Sequence, residues 1–105
     1  AYMIISGGVN IYPQEIEDAM ISHPAVQDIA VFGVPNSDFG EEVKAVIQLT
    51  HEFTDEEQLT DDLMEFAREK LASYKVPRTI DYVDELPRLP TGKLYKRILK
   101  EKYWP

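Results

Sequence analysis

Three short stretches carry the side chains best suited to chemistry. Thr91-Gly92-Lys93 reads as a turn, and its glycine would let an ammonium group project on a long flexible stem. Ser6-Gly7-Gly8 pairs two glycines, which permit positive φ and close backbone approach, as a tight turn or a ligand-facing loop requires. Tyr74-Lys75-Val76-Pro77-Arg78 offers two further cations. Each stretch is weak evidence singly: a lysine in a basic tail reads first as a solvated surface charge. The other polar candidates have plainer readings. His23 precedes Pro24 at a helix end, and His51 sits in a loop with no Cys or His nearby to form a metal site. Glu15 and Glu17 read as acidic residues serving a helix start.

Composition limits what these residues can serve. The 105 residues suffice for one domain with one modest core. Nineteen acidic against eleven basic side chains give a net charge of -8, which argues against broad contact with a nucleic-acid backbone. A local cationic cluster can still bind one anion, and the charges are segregated: acidic residues crowd Glu52 to Asp62, whereas Lys93, Lys96, Arg97, Lys100 and Lys102 lie near the end. The longest apolar runs are too short to span a membrane, and no basic stretch followed by a long apolar segment marks a signal peptide. The absence of cysteine fits a reducing compartment, so the expected location is cytoplasmic. A chain opening directly on Ala1-Tyr2-Met3-Ile4-Ile5 reads as an excised part of a longer protein.

The elements that must position these residues follow from periodicity. Met3-Ile4-Ile5 is a short strand ended by the glycines. Pro13 suits the first position of a helix whose apolar stripe is Ile16, Ala19 and Met20, ended by His23-Pro24. Val26 to Val34 is rich in β-branched residues and reads as a buried strand. After a turn-rich loop from Pro35 to Gly40, Val43, Ala45, Ile47 and Leu49 mark a half-buried strand that should pair with it as an antiparallel hairpin. Thr54 with Glu57 reads as a capping box opening the longest helix, whose apolar face is Leu59, Leu63, Phe66, Ala67 and Leu71. A third strand spans Thr79 to Val83, and Leu94 to Tyr103 closes the chain as a short basic helix. The expected fold class is α+β, a small, mostly antiparallel three-stranded sheet with helices packed on it.

Taken in order, three segments exceed what packing needs: Ser6-Gly7-Gly8-Val9-Asn10-Ile11-Tyr12-Pro13-Gln14-Glu15-Ile16-Glu17, Tyr74-Lys75-Val76-Pro77-Arg78, and Leu86-Pro87-Arg88-Leu89-Pro90-Thr91-Gly92-Lys93 continued by Tyr95-Lys96-Arg97. With Val31-Phe32-Gly33-Val34-Pro35 and Phe39-Gly40-Glu41 between them, they closely resemble the carboxy-terminal domain of the adenylate-forming enzymes, over nearly the whole chain. That superfamily includes acyl- and aryl-CoA synthetases, peptide-synthetase adenylation domains and beetle luciferase. The glycine segment from Met3 to Pro13 looks most like the fatty-acyl and aryl-CoA ligase branches.

The resemblance implies a two-step reaction in which a carboxylic acid, ATP and coenzyme A give acyl-CoA, AMP and pyrophosphate through an acyl-adenylate. It implies that residues 1–105 are a single carboxy-terminal domain, whose partner is its own large amino-terminal domain holding ATP, magnesium and the acyl group. The small domain would turn between two poses, and alone it should be inactive. Lys93 matches the family's adenylation lysine, the expected catalytic residue. Gly7 and Gly8 match the loop that forms part of the pantetheine tunnel. Arg78, with Lys75 on the same surface, matches positions that meet the CoA phosphates in several relatives, and Phe39 matches an aromatic near the CoA adenine. Asn10 and Tyr12 stand in the glycine loop without an assigned task. Tyr103 and Trp104 could dock on the amino-terminal domain or pack on this one. One position departs from the pattern: the hinge Asp or Lys of relatives falls on Ala1.

Two other readings stay open on the residues alone. One is adenylation for a carrier protein, with the phosphopantetheine arm arriving on a protein; the other is a freestanding binding module on the same fold. The acid itself belongs to the amino-terminal pocket, and a fatty acid is expected from the motif resemblance only.

Overall fold

The computed structural model describes residues 2–105; Ala1, and with it the expected hinge position, lies outside them. The elements are β1 (Ile4–Ser6), β2 (Val9–Ile11), α1 (Pro13–Met20), β3 (Val26–Asn36), β4 (Gly40–Leu49), α2 (Glu56–Lys70), a 3-10 turn (Ser73–Lys75), β5 (Thr79–Val83) and α3 (Lys96–Glu101). β1 and β2 form a separate antiparallel hairpin, and the main sheet has the order β3-β4-β5. Its longer ladder, β3 with β4, is antiparallel, while β5 runs parallel to β4 because α2 carries the chain back across the sheet.

Both faces of this sheet are covered, which explains why β3 reads as a nearly unbroken apolar run. Ile29, Val31, Val43, Ala45 and Ile47 pack on the first face with Ile16 and Met20 of α1, Leu59, Leu63 and Ala67 of α2, and Ile4 and Ile11 of the hairpin. Ala30, Phe32, Val34 and Val46 point to the second face, where Leu86, Leu94, Leu99 and Tyr103 cover them. Full burial of a side chain such as Phe32 is worth roughly 1.5–3 kcal/mol.

Among the described residues no strand lies beside the outer edge of β3, yet polar groups along it are capped by side chains. The Val31 N–H donates to Glu17 Oε2 at 2.8 Å. The Gly33 N–H donates to Tyr2 Oη at 2.8 Å, and Trp104 Nε1 donates to the Gly33 carbonyl at 2.8 Å. Tyr103 and Trp104 therefore pack on this domain.

Several local expectations need correction. Val9–Ile11 is a strand, too short for periodicity to reveal, and it pairs with β1 across Gly7-Gly8. With φ +57° and +80°, these glycines form a two-residue turn of the kind that suits the twist of a hairpin. The cap of α2 is Asp55, whose Oδ1 accepts from the Gln58 N–H at 2.9 Å, and not Thr54. Helix α1 ends at Met20, ahead of His23-Pro24, and α3 is confined to Lys96–Glu101. Glu17 is not a helix-start residue: it is buried, and besides capping Val31 it pairs with Lys96 Nζ at 2.7 Å, tying α1 to α3.

Candidate functional site

The residues singled out in the sequence fall into two groups on opposite faces of the main sheet. On the first face a groove of about 300 Å³ is lined by residues including Gly7, Val9, Phe39, Val43, Tyr74 and Arg78. The β1–β2 hairpin is pinned beside it, since the Gly7 N–H donates to the Phe39 carbonyl at 2.9 Å. A Cβ on Gly7 would lie 3.2 Å from Phe39 Cδ1, so this position is constrained by space as well as by its φ. A Cβ on Gly8 would meet nothing within 4 Å, and only its backbone conformation requires glycine. Phe39 leaves the β3–β4 turn, where the Asn36 side chain accepts from the Asp38 and Phe39 N–H groups at 2.8 Å each. Its ring is exposed, with the Arg78 guanidinium carbon 4.8 Å from the centroid. The Arg78 backbone is fixed by donation to the Val43 carbonyl at 2.9 Å. Its guanidinium pairs with no carboxylate among the described residues, which leaves a cation beside an apolar groove.

Lys75 behaves differently. Its Nζ donates to both carboxylate oxygens of Glu15, at 2.8 and 3.0 Å, and that hydrogen bonding holds the ammonium above its ordinary pKa. Lys75 and Gly8 stand outside the groove lining, whereas Tyr74, not singled out in the sequence, belongs to it. Tyr74 heads the motif Tyr74-Lys75-Val76-Pro77-Arg78, and that was the signal that could have marked it as a candidate.

Lys93 stands on the other side. Arg88 and Leu94 form an isolated antiparallel bridge, and the turn between them is closed by Leu89 N–H to the Lys93 carbonyl and Gly92 N–H to the Leu89 carbonyl, both 2.8 Å. Gly92 has φ +89°, a conformation L side chains rarely adopt. The hairpin is rooted through Leu86 and Leu94 in the second core, and the Leu86 N–H donates to Gln48 Oε1 at 3.0 Å. Lys93 is exposed at its tip and forms no ion pair among the described residues. On the same face of the sheet, Asp81 Oδ2 accepts from Lys44 Nζ at 2.8 Å and Tyr103 Oη at 2.5 Å. Burial pushes Asp81 up, but these two donors outweigh it and hold the carboxyl below its ordinary range. Burial, reinforced by Asp81, pushes the Tyr103 phenol up to about 12. This cluster fastens the end of the chain to the sheet. It is linked to the candidate lysine only through packing.

Among the described residues no three His, Cys, Asp or Glu side chains converge as metal ligands, and no helix is long and apolar enough to cross a membrane.

Comparison with known proteins bears on this arrangement. The model of the AMP-binding enzyme C-terminal domain matches residues 15–93. The chain is 50% identical over 100 residues to the 3-oxocholest-4-en-26-oate–CoA ligase of Rhodococcus rhodochrous, covering 94% of this chain and 17% of that protein. It is 45% identical over 100 residues to the long-chain-fatty-acid–CoA ligase of Bacillus subtilis, covering 95% and 17%. The crystal structure of ATP-bound MatB from Rhodopseudomonas palustris superimposes with a TM-score of 0.86 at 39% identity, covering 96% of this chain and 20% of that one. The chain thus spans about a fifth of the length of these proteins. With a family model matched over most of its length and a fold shared at this level of identity, the chain belongs to the AMP-binding enzyme C-terminal domain family.

Proposed function

We propose that this chain is the mobile carboxy-terminal domain of an ATP-dependent acid–CoA ligase, acting with an amino-terminal part that holds ATP, its magnesium ion and the acid. In the first step a carboxylate oxygen attacks the α-phosphorus of ATP, pyrophosphate leaves, and an acyl-adenylate remains. In the second, the thiol of coenzyme A loses its proton and attacks the acyl carbon, and AMP leaves with the bonding electrons.

The observation that carries this reading is the separation of the two groups onto opposite faces of one sheet. A domain needed in two poses must present a different surface in each. The Lys93 face suits the first step, where two anions are brought together and charge persists on the α-phosphate oxygens. An exposed, unpaired ammonium swung into a water-poor cleft neutralises both, and is worth far more there than in water. The groove face suits the second step. Gly7 and Gly8 leave space along the backbone for a narrow thiol-bearing arm, and Arg78 over Phe39 offers a fork for phosphate beside a surface for stacking a base. Lys75 contributes to that surface by holding Glu15, so that this carboxylate does not face the incoming phosphates unneutralised. The relative from Bacillus subtilis supports a fatty acid as the acid.

The test is a chimaera in which this chain replaces the matching segment of that Bacillus ligase. It should form acyl-CoA and AMP from a fatty acid, ATP and coenzyme A. Lys93→Ala in that chimaera should lower carboxylate-dependent pyrophosphate exchange by roughly a hundredfold or more. A folded chimaera that releases no AMP, or exchange indifferent to Lys93, would count against the proposal.

A further inference from the structure

We infer that Arg88, anchored on Asp28, is a positioning residue that sets the direction in which Lys93 leaves its turn; the inference rests on the reading of Lys93 given above. The two backbone hydrogen bonds that close the turn both run to Leu89, one to its N–H and one to its carbonyl. Neither engages the carbonyl of Gly92, which belongs to the peptide plane joining Gly92 to Lys93. Rotation of that plane redirects the Cα–Cβ bond of Lys93. Gly92, lacking Cβ, is the softest torsional point in the turn. Something outside the backbone must hold it.

Arg88 does so with its fork. Nη1 donates to the Gly92 carbonyl at 2.7 Å, and Nη2 pairs with Asp28 Oδ2. Asp28 lies within β3, a strand buried on both faces, and its other oxygen accepts from the Ile29 N–H at 2.9 Å. The guanidinium therefore bridges the carbonyl beside the reacting lysine to the rigid sheet, across 60 residues of sequence. Pro87 and Pro90 restrict the chain on either side of Leu89.

Energetics separate this role from a merely stabilising one. The Arg88 side chain is 44% exposed and that of Asp28 22%, and a pair so open to water contributes little to folding. What it restricts is angle. A lysine at position 88 would keep the charge but not the planar fork that satisfies both acceptors at once.

The experiment uses the ligase chimaera carrying this chain, with Arg88→Ala, Arg88→Lys and Asp28→Asn made alone and each combined with Lys93→Ala. Arg88→Ala should lower the turnover of pyrophosphate exchange about tenfold or more, the scale of a catalytic group displaced by a fraction of an ångström. The KM for ATP, thioester formation from supplied acyl-adenylate and the urea midpoint should stay unchanged. Arg88→Lys should resemble Arg88→Ala, Asp28→Asn should show a smaller loss, and all three effects should vanish in the Lys93→Ala background, where there is no ammonium left to aim. Equal losses in both half-reactions, or losses that persist without Lys93, would overturn the role of Arg88. Normal exchange in Arg88→Ala alongside a depressed Lys93→Ala overturns this inference alone. Normal exchange in Lys93→Ala overturns the underlying reading and this one with it.

Discussion

At Gly7 two constraints coincide, a φ of +57° and the ring of Phe39 where a Cβ would go. At Gly8 only the first applies, with φ +80° and open space around it. Alanine should therefore cost roughly 1–2 kcal/mol at Gly8 from conformation alone, and more at Gly7, where Phe39 must also give way. Urea unfolding of the two variants checks the order, and a greater loss at Gly8 would contradict it. These glycines were legible in the sequence because paired glycines between apolar residues have few other uses. Lys93 was singled out only through its motif, since its side chain is exposed and forms no ion pair among the described residues. Arg88 stood within the third motif, but its contacts were not legible: its two acceptors, Gly92 and Asp28, are joined by the fold and not by spacing. Lys75, expected on the surface that meets the CoA phosphates, is bound to a carboxylate from α1, a partner equally invisible along the chain.

Among the elements, α1 and α3 matter most, because they follow the glycine hairpin and the Lys93 hairpin respectively. Glu17 joins them by pairing with Lys96 while capping the open edge of β3 at Val31. Glu17→Ala would leave a buried N–H unsatisfied and an ammonium without its partner, at a cost of about 2–3 kcal/mol, the lower end for a buried pair because Lys96 keeps 26% of its side-chain surface. Glu17→Gln retains an oxygen for Val31 and should lose roughly half as much. Thermal or urea unfolding of both variants would decide the matter, and equal losses would mean that the edge cap contributes nothing. The longest helix could be read from periodicity, because α2 repeats its apolar face over fifteen residues, whereas β4, read as half-buried, is buried without a break from Val43 to Ile47 because the segment after β5 covers its second face. The short ones could not. Three residues of β2 offer no period, and Thr54 against Asp55 differs only in which side chain reaches the Gln58 N–H.

For the molecule as a whole, the sheet is a partition. Burial on both faces makes it stiff, and it sets the groove of Gly7, Phe39 and Arg78 against one layer and the Lys93 turn against the other. The α+β class was legible from the order of elements, but the assignment of candidate residues to faces was not, because it depends on how the segment after β5 wraps over Phe32 and Val46. If the two faces serve separate half-reactions, damage to one should leave the other intact. The most direct measurement is to compare Lys93→Ala and Gly7→Ala in the folded ligase chimaera, each assayed for pyrophosphate exchange and for thioester formation from supplied acyl-adenylate. A crossed pattern is predicted: Lys93→Ala should depress exchange and spare thioester formation, and Gly7→Ala should do the reverse. If each variant depresses both half-reactions to the same degree, the division of labour between the faces is contradicted.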